Sequence, residues 1–377
     1  FRVNKSNRDP YLLTPGPLTT SANTKAAMLH DWGSRDAAFI AINRRVQDRL
    51  VELANGQDSH VTVPLQGSGT FAVEAMVATF LPRDGKALIL INGAYGHRIA
   101  TICDYLGRAY SACETAEDVP PDPDAVAARL ADDPAITHVI VVHCETTSGI
   151  LNPVADIAAV TAAAGRRLLI DSMSAFGALP LDAREIPFDA LAASANKCLE
   201  GVPGIGFVLC RKDVLIQSAG NAHSLSLDLV DQWTAMDKTG QWRFTPPTHV
   251  VAAFEQALRE HEAEGGVAGR YARYRENCDI LVSGMRARGF TPLLDDSLQA
   301  PIIVTFHMPD DPKFVFTGFY DRLQDKGYVI YPGKLTKVES FRIGCIGHLG
   351  AMEMHGALKA IDQTLAEMDV HLELAPA

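Results

Sequence analysis

Through the first two-thirds of the chain, apolar runs of strand length alternate with stretches of helical length and spacing. "VTVPLQ" is followed by "TFAVEAMVATFL", "ALILIN" by "GHRIATICDYLG", "AYSACE" by "PDAVAARLADD", and "THVIVVH" by "VADIAAVTAAAG" and then "RRLLIDS". Runs that are apolar at nearly every position, rather than at every second one, belong to strands buried on both faces, with the intervening helices as cover. The pattern predicts βαβ units around a parallel sheet, which "FDALAAS" and "GFVLCRKD" extend. After about residue 250 the texture changes. Two long amphipathic helices, "VVAAFEQALREHEAEGG" and "AGRYARYRENCDILVSGMRARG", precede the short strands "PIIVTFHM", "YVIYPG" and "SFRIGC" and a closing helix from "AMEMHGALKA" onward. The expected fold is α/β, a mainly parallel central sheet with helices on both faces, joined to a smaller α+β C-terminal domain. The expected organisation is an N-terminal segment 1–22 packing with the small domain, a large domain 23–255 and a small domain 256–377.

Open α/β sheets bind their ligands at the carboxyl ends of the strands. That rule selects Gly67-Ser68-Gly69-Thr70, Asn92 to Tyr95, His143 to Thr147, Asp171 to Ser174 and Asn196-Lys197. "QGSGT" at 66–70 lies between a strand and a helix, where two glycines let backbone approach a ligand and the helix start offers free N–H groups. Alone it reads equally as a tight turn with Ser68 or Thr70 as N-cap. Asp171 closes a buried strand, where a carboxylate is costly without a partner; it also reads as a turn cap. Lys197 follows "FDALAAS" among small residues, although most lysines lie on the surface. The three together fit pyridoxal phosphate: an amine for its aldehyde, an acid for its pyridine nitrogen and a seat for its phosphate. Tyr95 suits stacking on the ring.

Composition changes this picture little. The 377 residues favour two domains, and 47% hydrophobic with 21% charged residues is an ordinary globular mixture. Net charge is −11 and there is no basic tract with interleaved aromatics, which argues against nucleic acid as a partner. An anionic substrate then needs locally placed Arg or Lys. Seven unclustered cysteines read as reduced thiols, which, with no apolar leader and no run of about 18 apolar residues, leads to the expectation of a cytoplasmic protein without a membrane span and without a metal site.

The chain resembles the fold-type I, class V aminotransferases nearly end to end. The resemblance is carried by "LLTPGPLTTS", "LQGSGTFAVEA", "NGAYGHR", "HCETTSGILNP", "IDSMSAFG", "SANKCLEGVPGIGFV", "SLSLDL", "WRFTPPTH", "VIYPGKL" and "FRIG". "SANKC", "WRFTPPTH" and "YPGK" together are similar to the branch of the class that uses 2-aminoethylphosphonate and pyruvate. The resemblance implies Lys197 as the Schiff-base lysine and Asp171 as partner of the pyridine nitrogen. It implies Gly67, Ser68, Gly69 and Thr70 around the phosphate, Tyr95 on the ring, and Thr146, Asn196 and Trp242 beside the cofactor. Thr245 would reach the cofactor phosphate of the neighbouring subunit in a homodimer with shared sites. Arg342, Gly16 and Arg35 would face the substrate; Arg35, in "HDWGSRDAAF", stands where many members of the class carry an aromatic residue. Alanine– or serine–glyoxylate aminotransferases share these features and differ in donor. A class V cysteine desulfurase fits less well, since Cys345 lies within "FRIGC". A nucleotide-binding oxidoreductase would want G-x-G-x-x-G, which "QGSGTF" lacks.

Overall fold

The computed structural model describes residues 9–333 and 336–373. Its centre is a seven-stranded sheet in the order His60–Gln66, Ile205–Arg211, Ala190–Ser194, Arg167–Asp171, Ile136–Val142, Lys86–Ile91, Ala109–Glu114. The last five run parallel to one another. Ile205–Arg211 is antiparallel to both its neighbours. The apolar run "GFVLC" reads the same in either direction, so composition leaves its sense open. The link decides it: a parallel neighbour needs a crossover of about a dozen residues or more, and the residues between Ser194 and Ile205 form a tight turn instead.

Alternate residues of each strand feed opposite cores, as the two-residue period requires. Leu88 and Leu90 join Val139, Val141, Leu168 and Ile170 under the helices Ala37–Leu53, Pro123–Asp132, Val154–Ala163 and Thr248–Ala263. Ala87, Ile89 and Ile91 join Ile140, Val142 and Leu169 under Gly69–Phe80 and Ala94–Leu106. The helix Gly69–Phe80 leaves the edge strand and runs back across the sheet, packing over Ala190–Ser194. Small residues permit this close approach; a Cβ on Gly206 would stand 2.9 Å from Ala72 Cβ and 3.1 Å from the Ser68 carbonyl. This return path brings "GSGT" to the middle of the sheet's carboxyl edge.

A three-stranded antiparallel sheet, Ile303–His307, Ser340–Gly344 and Tyr331–Pro332, packs with Gly266–Arg286, Phe316–Asp325 and Ala351–Glu367 around a cluster that includes Phe290, Phe306, Phe319 and Phe341. Tyr11–Leu12 pairs with Tyr328–Val329, and Leu13 is buried in the same cluster. The Gly344 N–H then donates to the Leu13 carbonyl at 3.0 Å, so the "TPGP" loop is tied to the strand that carries Arg342. Among the described residues no helix is long and apolar enough to cross a membrane, and no cluster of His, Cys, Asp or Glu is arranged to hold a metal ion. All seven cysteines are unpaired.

Candidate active site

Loops that follow four strands of the main sheet meet the "TPGP" loop around a cavity of about 210 Å³. Gly16, Ser68, Gly69, Thr70, Tyr95, Asp171, Ser194, Asn196 and Lys197 all line it. A larger cleft of about 520 Å³, between the helices Ala37–Leu53 and Leu229–Thr239, holds none of the residues predicted for chemistry.

Lys197 sits on the turn that reverses the chain between two strands. The turn is closed by Gly201 N–H to Ala195 O at 2.8 Å and Glu200 N–H to Lys197 O at 2.8 Å, with Glu200 in the left-handed region at φ 56°. Arg270, itself 1% exposed, donates to the Cys198 carbonyl from the helix Gly266–Arg286 and holds the turn from outside. The Lys197 Nζ donates to the Pro15 carbonyl at 2.5 Å. A Cβ on Gly16 would come within 2.7 Å of Nζ, and its φ of +122° favours glycine, so this glycine is what lets the loop close over the amine. Burial pushes the Lys197 amine down to about 8.

Asp171 ends its strand between Val142 and Ala192 in register. It is 4% exposed, and its Oδ1 accepts from the Met173 N–H at 3.0 Å. Burial raises it to about 6, helped by the nearby Glu145, and the Met173 hydrogen bond only partly offsets the rise. Next to it, His143 Nδ1 contacts Ser172 Oγ at 3.0 Å, and burial lowers the ring to about 4, which keeps it neutral.

The helix Gly69–Phe80 starts at Ser68, whose side chain makes no capping bond. The cap reading of Ser68 therefore fails, and its hydroxyl is available to a ligand together with the first N–H groups of the helix, which have no intrahelical partner. The helix Ala94–Leu106 is capped instead by a distant acid. Glu145 Oε2 accepts from the Tyr95 N–H at 3.1 Å, while its Oε1 takes Thr147 Oγ1 at 2.5 Å. Its side chain occupies the space a Cβ on Gly93 would need. This acid fixes where Tyr95 enters the cavity.

Arg342 is 2% exposed. It donates to the carbonyls of Thr146 and Pro332 at 2.7 and 3.0 Å and packs 5.2 Å from the Tyr331 ring centre, and its Nε has no partner. Among the described residues no carboxylate is within ion-pair distance of it, and Glu145 acts on it only from farther off. Thr146 Oγ1 and Ser194 Oγ are likewise buried without partners. A buried polar atom left unmade costs about 1–3 kcal/mol. Of these groups Ser194 lines the cavity, and the Arg342 cation, near enough to Lys197 to act on its amine, stands beside it; such groups suit an anionic, hydrogen-bonding ligand. An amine poised near neutrality, an acid without a paired cation and a phosphate-sized seat fit pyridoxal phosphate.

The family model described as Aminotransferase class-V matches residues 19–311. The chain belongs to the class V aminotransferases. This class V aminotransferase is 58% identical over 362 residues to a 2-aminoethylphosphonate–pyruvate transaminase of Pseudomonas fluorescens, spanning 96% of the chain and 98% of that relative. It is 55% identical over 368 residues to the protein of the same name from Pseudomonas aeruginosa, spanning 98% and 99%. Among solved structures, pyridoxamine–pyruvate aminotransferase from Mesorhizobium loti shares the fold, with a TM-score of 0.88, 23% identity and coverage of 98% and 95%.

Not every predicted residue of this aminotransferase reaches the cavity. Gly67 stands beside the seat, with its N–H donated to the Gly204 carbonyl at 3.0 Å. Thr146 is buried behind the wall, where its carbonyl anchors Arg342. Trp242 lies elsewhere: its indole N–H donates to Asn43 Oδ1 at 3.0 Å and its ring packs against the large core. Thr245 and Arg35 are exposed and outside this chain's cavity, on neighbouring stretches that a 3.0 Å contact between His249 and Asp31 joins. Lys334 of "YPGK" lies outside the described residues. Sequence reasoning missed Arg98 and Ser194 in the lining; Met173, also in the lining, and Glu145 behind it fell within the strand-end stretches it selected but were given no role. Arg98 was within reach, since it stands at i+3 from Tyr95 on a helix opening at a strand end.

Proposed function

We propose that the chain transfers the amine of 2-aminoethylphosphonate to pyruvate, giving phosphonoacetaldehyde and L-alanine, with pyridoxal 5'-phosphate as cofactor. The observation that carries the reading is the Lys197–Asp171 cavity with a buried arginine that forms no ion pair at its side, in a chain whose full-length relatives bear that name. When bound, the cofactor supplies an aldehyde for the donor's nitrogen and a protonated ring that draws electrons from the adjacent carbon. Asp171 is the acceptor for the ring N–H; a cation there reverses the cost of burying its charge. Lys197 Nζ, held near neutrality by burial, bonds the cofactor at rest and moves a proton between carbon atoms during turnover. Ser68, Gly69 and Thr70 hold the phosphate end through hydroxyl and N–H donors. Tyr95, fixed by Glu145, limits how the ring can tilt. The two substrates use one site in turn, so one anion-binding group must accept a phosphonate and a carboxylate. Arg342 suits both through its planar fork. A donor panel with pyruvate, scored for alanine, tests the assignment: 2-aminoethylphosphonate should lead it. Faster alanine-to-glyoxylate transfer by a wide margin would give the chain to the glyoxylate-using enzymes instead.

The same panel separates two arginines. Arg342→Lys should raise KM for both substrates about 10- to 100-fold, because the charge stays and the bidentate geometry goes; selective loss of one substrate would remove Arg342 from the shared role. The exposed stretches around Arg35 and Thr245 suit a second copy, where Thr245 adds a hydroxyl to the partner's phosphate site and Arg35 adds a cation for the phosphonate. Sedimentation should then give a dimer, and an active monomer would overturn the shared site. Arg35→Ala should weaken 2-aminoethylphosphonate about tenfold or more and leave pyruvate within about twofold. Equal losses, or none, would exclude Arg35.

A further inference from the structure

Arg98 has no part in the mechanism above. It lies one helical turn after Tyr95 and lines the same cavity as Ser68, Gly69, Thr70 and Lys197. Its guanidinium donates to Thr70 Oγ1 at 3.4 Å and stands 4.8 Å from the centre of the Tyr95 ring. Among the described residues no carboxylate is within ion-pair distance of it. The seat it overlooks offers otherwise only neutral donors, the hydroxyls of Ser68 and Thr70 and the start of a helix. Of the other basic groups here, the Lys197 amine donates to the Pro15 carbonyl and the Arg342 guanidinium to the Thr146 and Pro332 carbonyls. A phosphate monoester carries close to two negative charges at neutral pH, and a chain of net charge −11 repels it on average. Neutral donors position such a group but leave most of its charge unbalanced.

We infer that Arg98 is the cation that holds the phosphate end of the cofactor, bridging to it from Thr70 while its stacking on Tyr95 keeps both groups in place. The inference rests on the reading of this cavity as a pyridoxal phosphate site. Two strand-to-helix connections, successive in the chain, then share one anion: the first supplies the N–H and hydroxyl donors, and the second supplies the charge. The helices Gly69–Phe80 and Ala94–Leu106 pack against each other, which lets a side chain from one reach a hydroxyl on the other. The positive field of Arg98 also reaches Asp171 and Lys197, favouring the ionised acid and the free amine.

Binding to cofactor-stripped protein tests this without recourse to activity. Arg98→Gln and Arg98→Lys are titrated with pyridoxal phosphate and, separately, with pyridoxal, which lacks the phosphate. Quenching of intrinsic fluorescence reports occupancy. Arg98→Gln should weaken pyridoxal phosphate about 10- to 100-fold, the worth of a hydrogen-bonded charge, and leave pyridoxal within about twofold. Arg98→Lys should fall between the wild type and Arg98→Gln. Inorganic phosphate should compete with pyridoxal phosphate for the wild type and lose that effect in Arg98→Gln. No change with pyridoxal phosphate overturns the assignment. So does an equal loss of both ligands, whether through Tyr95 or through early melting of the variant. A wild-type chain that takes up neither ligand would overturn the cofactor reading itself, a result distinct from failure of Arg98.

Discussion

Lys197→Ala should lower kcat by at least about 10⁴-fold while the protein still takes up pyridoxal phosphate. Two contributions disappear together, covalent attachment of the cofactor and the proton transfer that the same amine performs, and general acid–base catalysis alone is worth about 10²–10⁴. Burial is what fits the amine for both. At pH 8 an ordinary lysine near 10.4 is free amine in roughly one molecule in 250, whereas Lys197, lowered to about 8, is about half free. The cost falls on charged Lys197, and the Pro15 carbonyl 2.5 Å away accepts from the amine and fixes its position. Binding should survive because the seat is a separate set of groups, Ser68 to Thr70, on another element. Borohydride treatment of the loaded wild type should fix the cofactor to Lys197, detectable by peptide mass, and should fix none in Lys197→Ala. Lys197→Arg, which keeps a cation and loses the free amine, should be as inactive as the alanine variant. Turnover within about 100-fold of wild type in either variant, or a fixed cofactor on another lysine, would remove Lys197 from the chemistry.

How much of this was legible in the chain depends on the distance a feature reaches. The parallel strands could be read because strands buried on both faces must be apolar along their length, and Leu88, Ile89, Leu90 and Ile91 feed both cores in turn. Lys197 and Asp171 stood out because an amine and an acid at the ends of such runs lack a local explanation. The sense of Ile205–Arg211 was hidden, since a buried strand looks alike in both directions. What Arg98 contacts was hidden for a different reason. Its partner Thr70 follows an edge strand five places away from Lys86–Ile91 in the sheet, and only the return of the helix Gly69–Phe80 across the sheet brings the two together. Glu145 caps a helix that begins 51 residues before it, a pairing no local motif encodes. Trp242, a residue type suited to a cofactor wall, spends its one N–H on Asn43 outside this chain's cavity.

Asp171→Asn should separate function from stability in opposite directions. The native carboxyl is raised from 3.8 to about 6 by burial, which corresponds to about 3 kcal/mol against the ionised form. Between those two values the folded chain binds more protons than the unfolded one, so stability falls as pH rises through the window and the full cost is present above about 6. Asparagine keeps the acceptor for the Met173 N–H and carries no charge. Cofactor-free Asp171→Asn should therefore be about 1–3 kcal/mol more stable than the wild type at pH 8, and the gain should fade toward pH 4. Denaturant midpoints at the two pH values measure this. In the loaded enzyme the same substitution removes the one anion that can face the ring nitrogen from this strand end, and kcat should drop at least about 100-fold, the scale of losing one preorganised electrostatic partner. Cofactor affinity should change far less, because the phosphate seat and Lys197 are untouched. A variant with near-wild-type kcat would take the ring nitrogen away from Asp171. A variant no more stable at pH 8 than at pH 4, relative to wild type, would show that the buried charge is already balanced by Arg98 and Lys197 before any cofactor arrives.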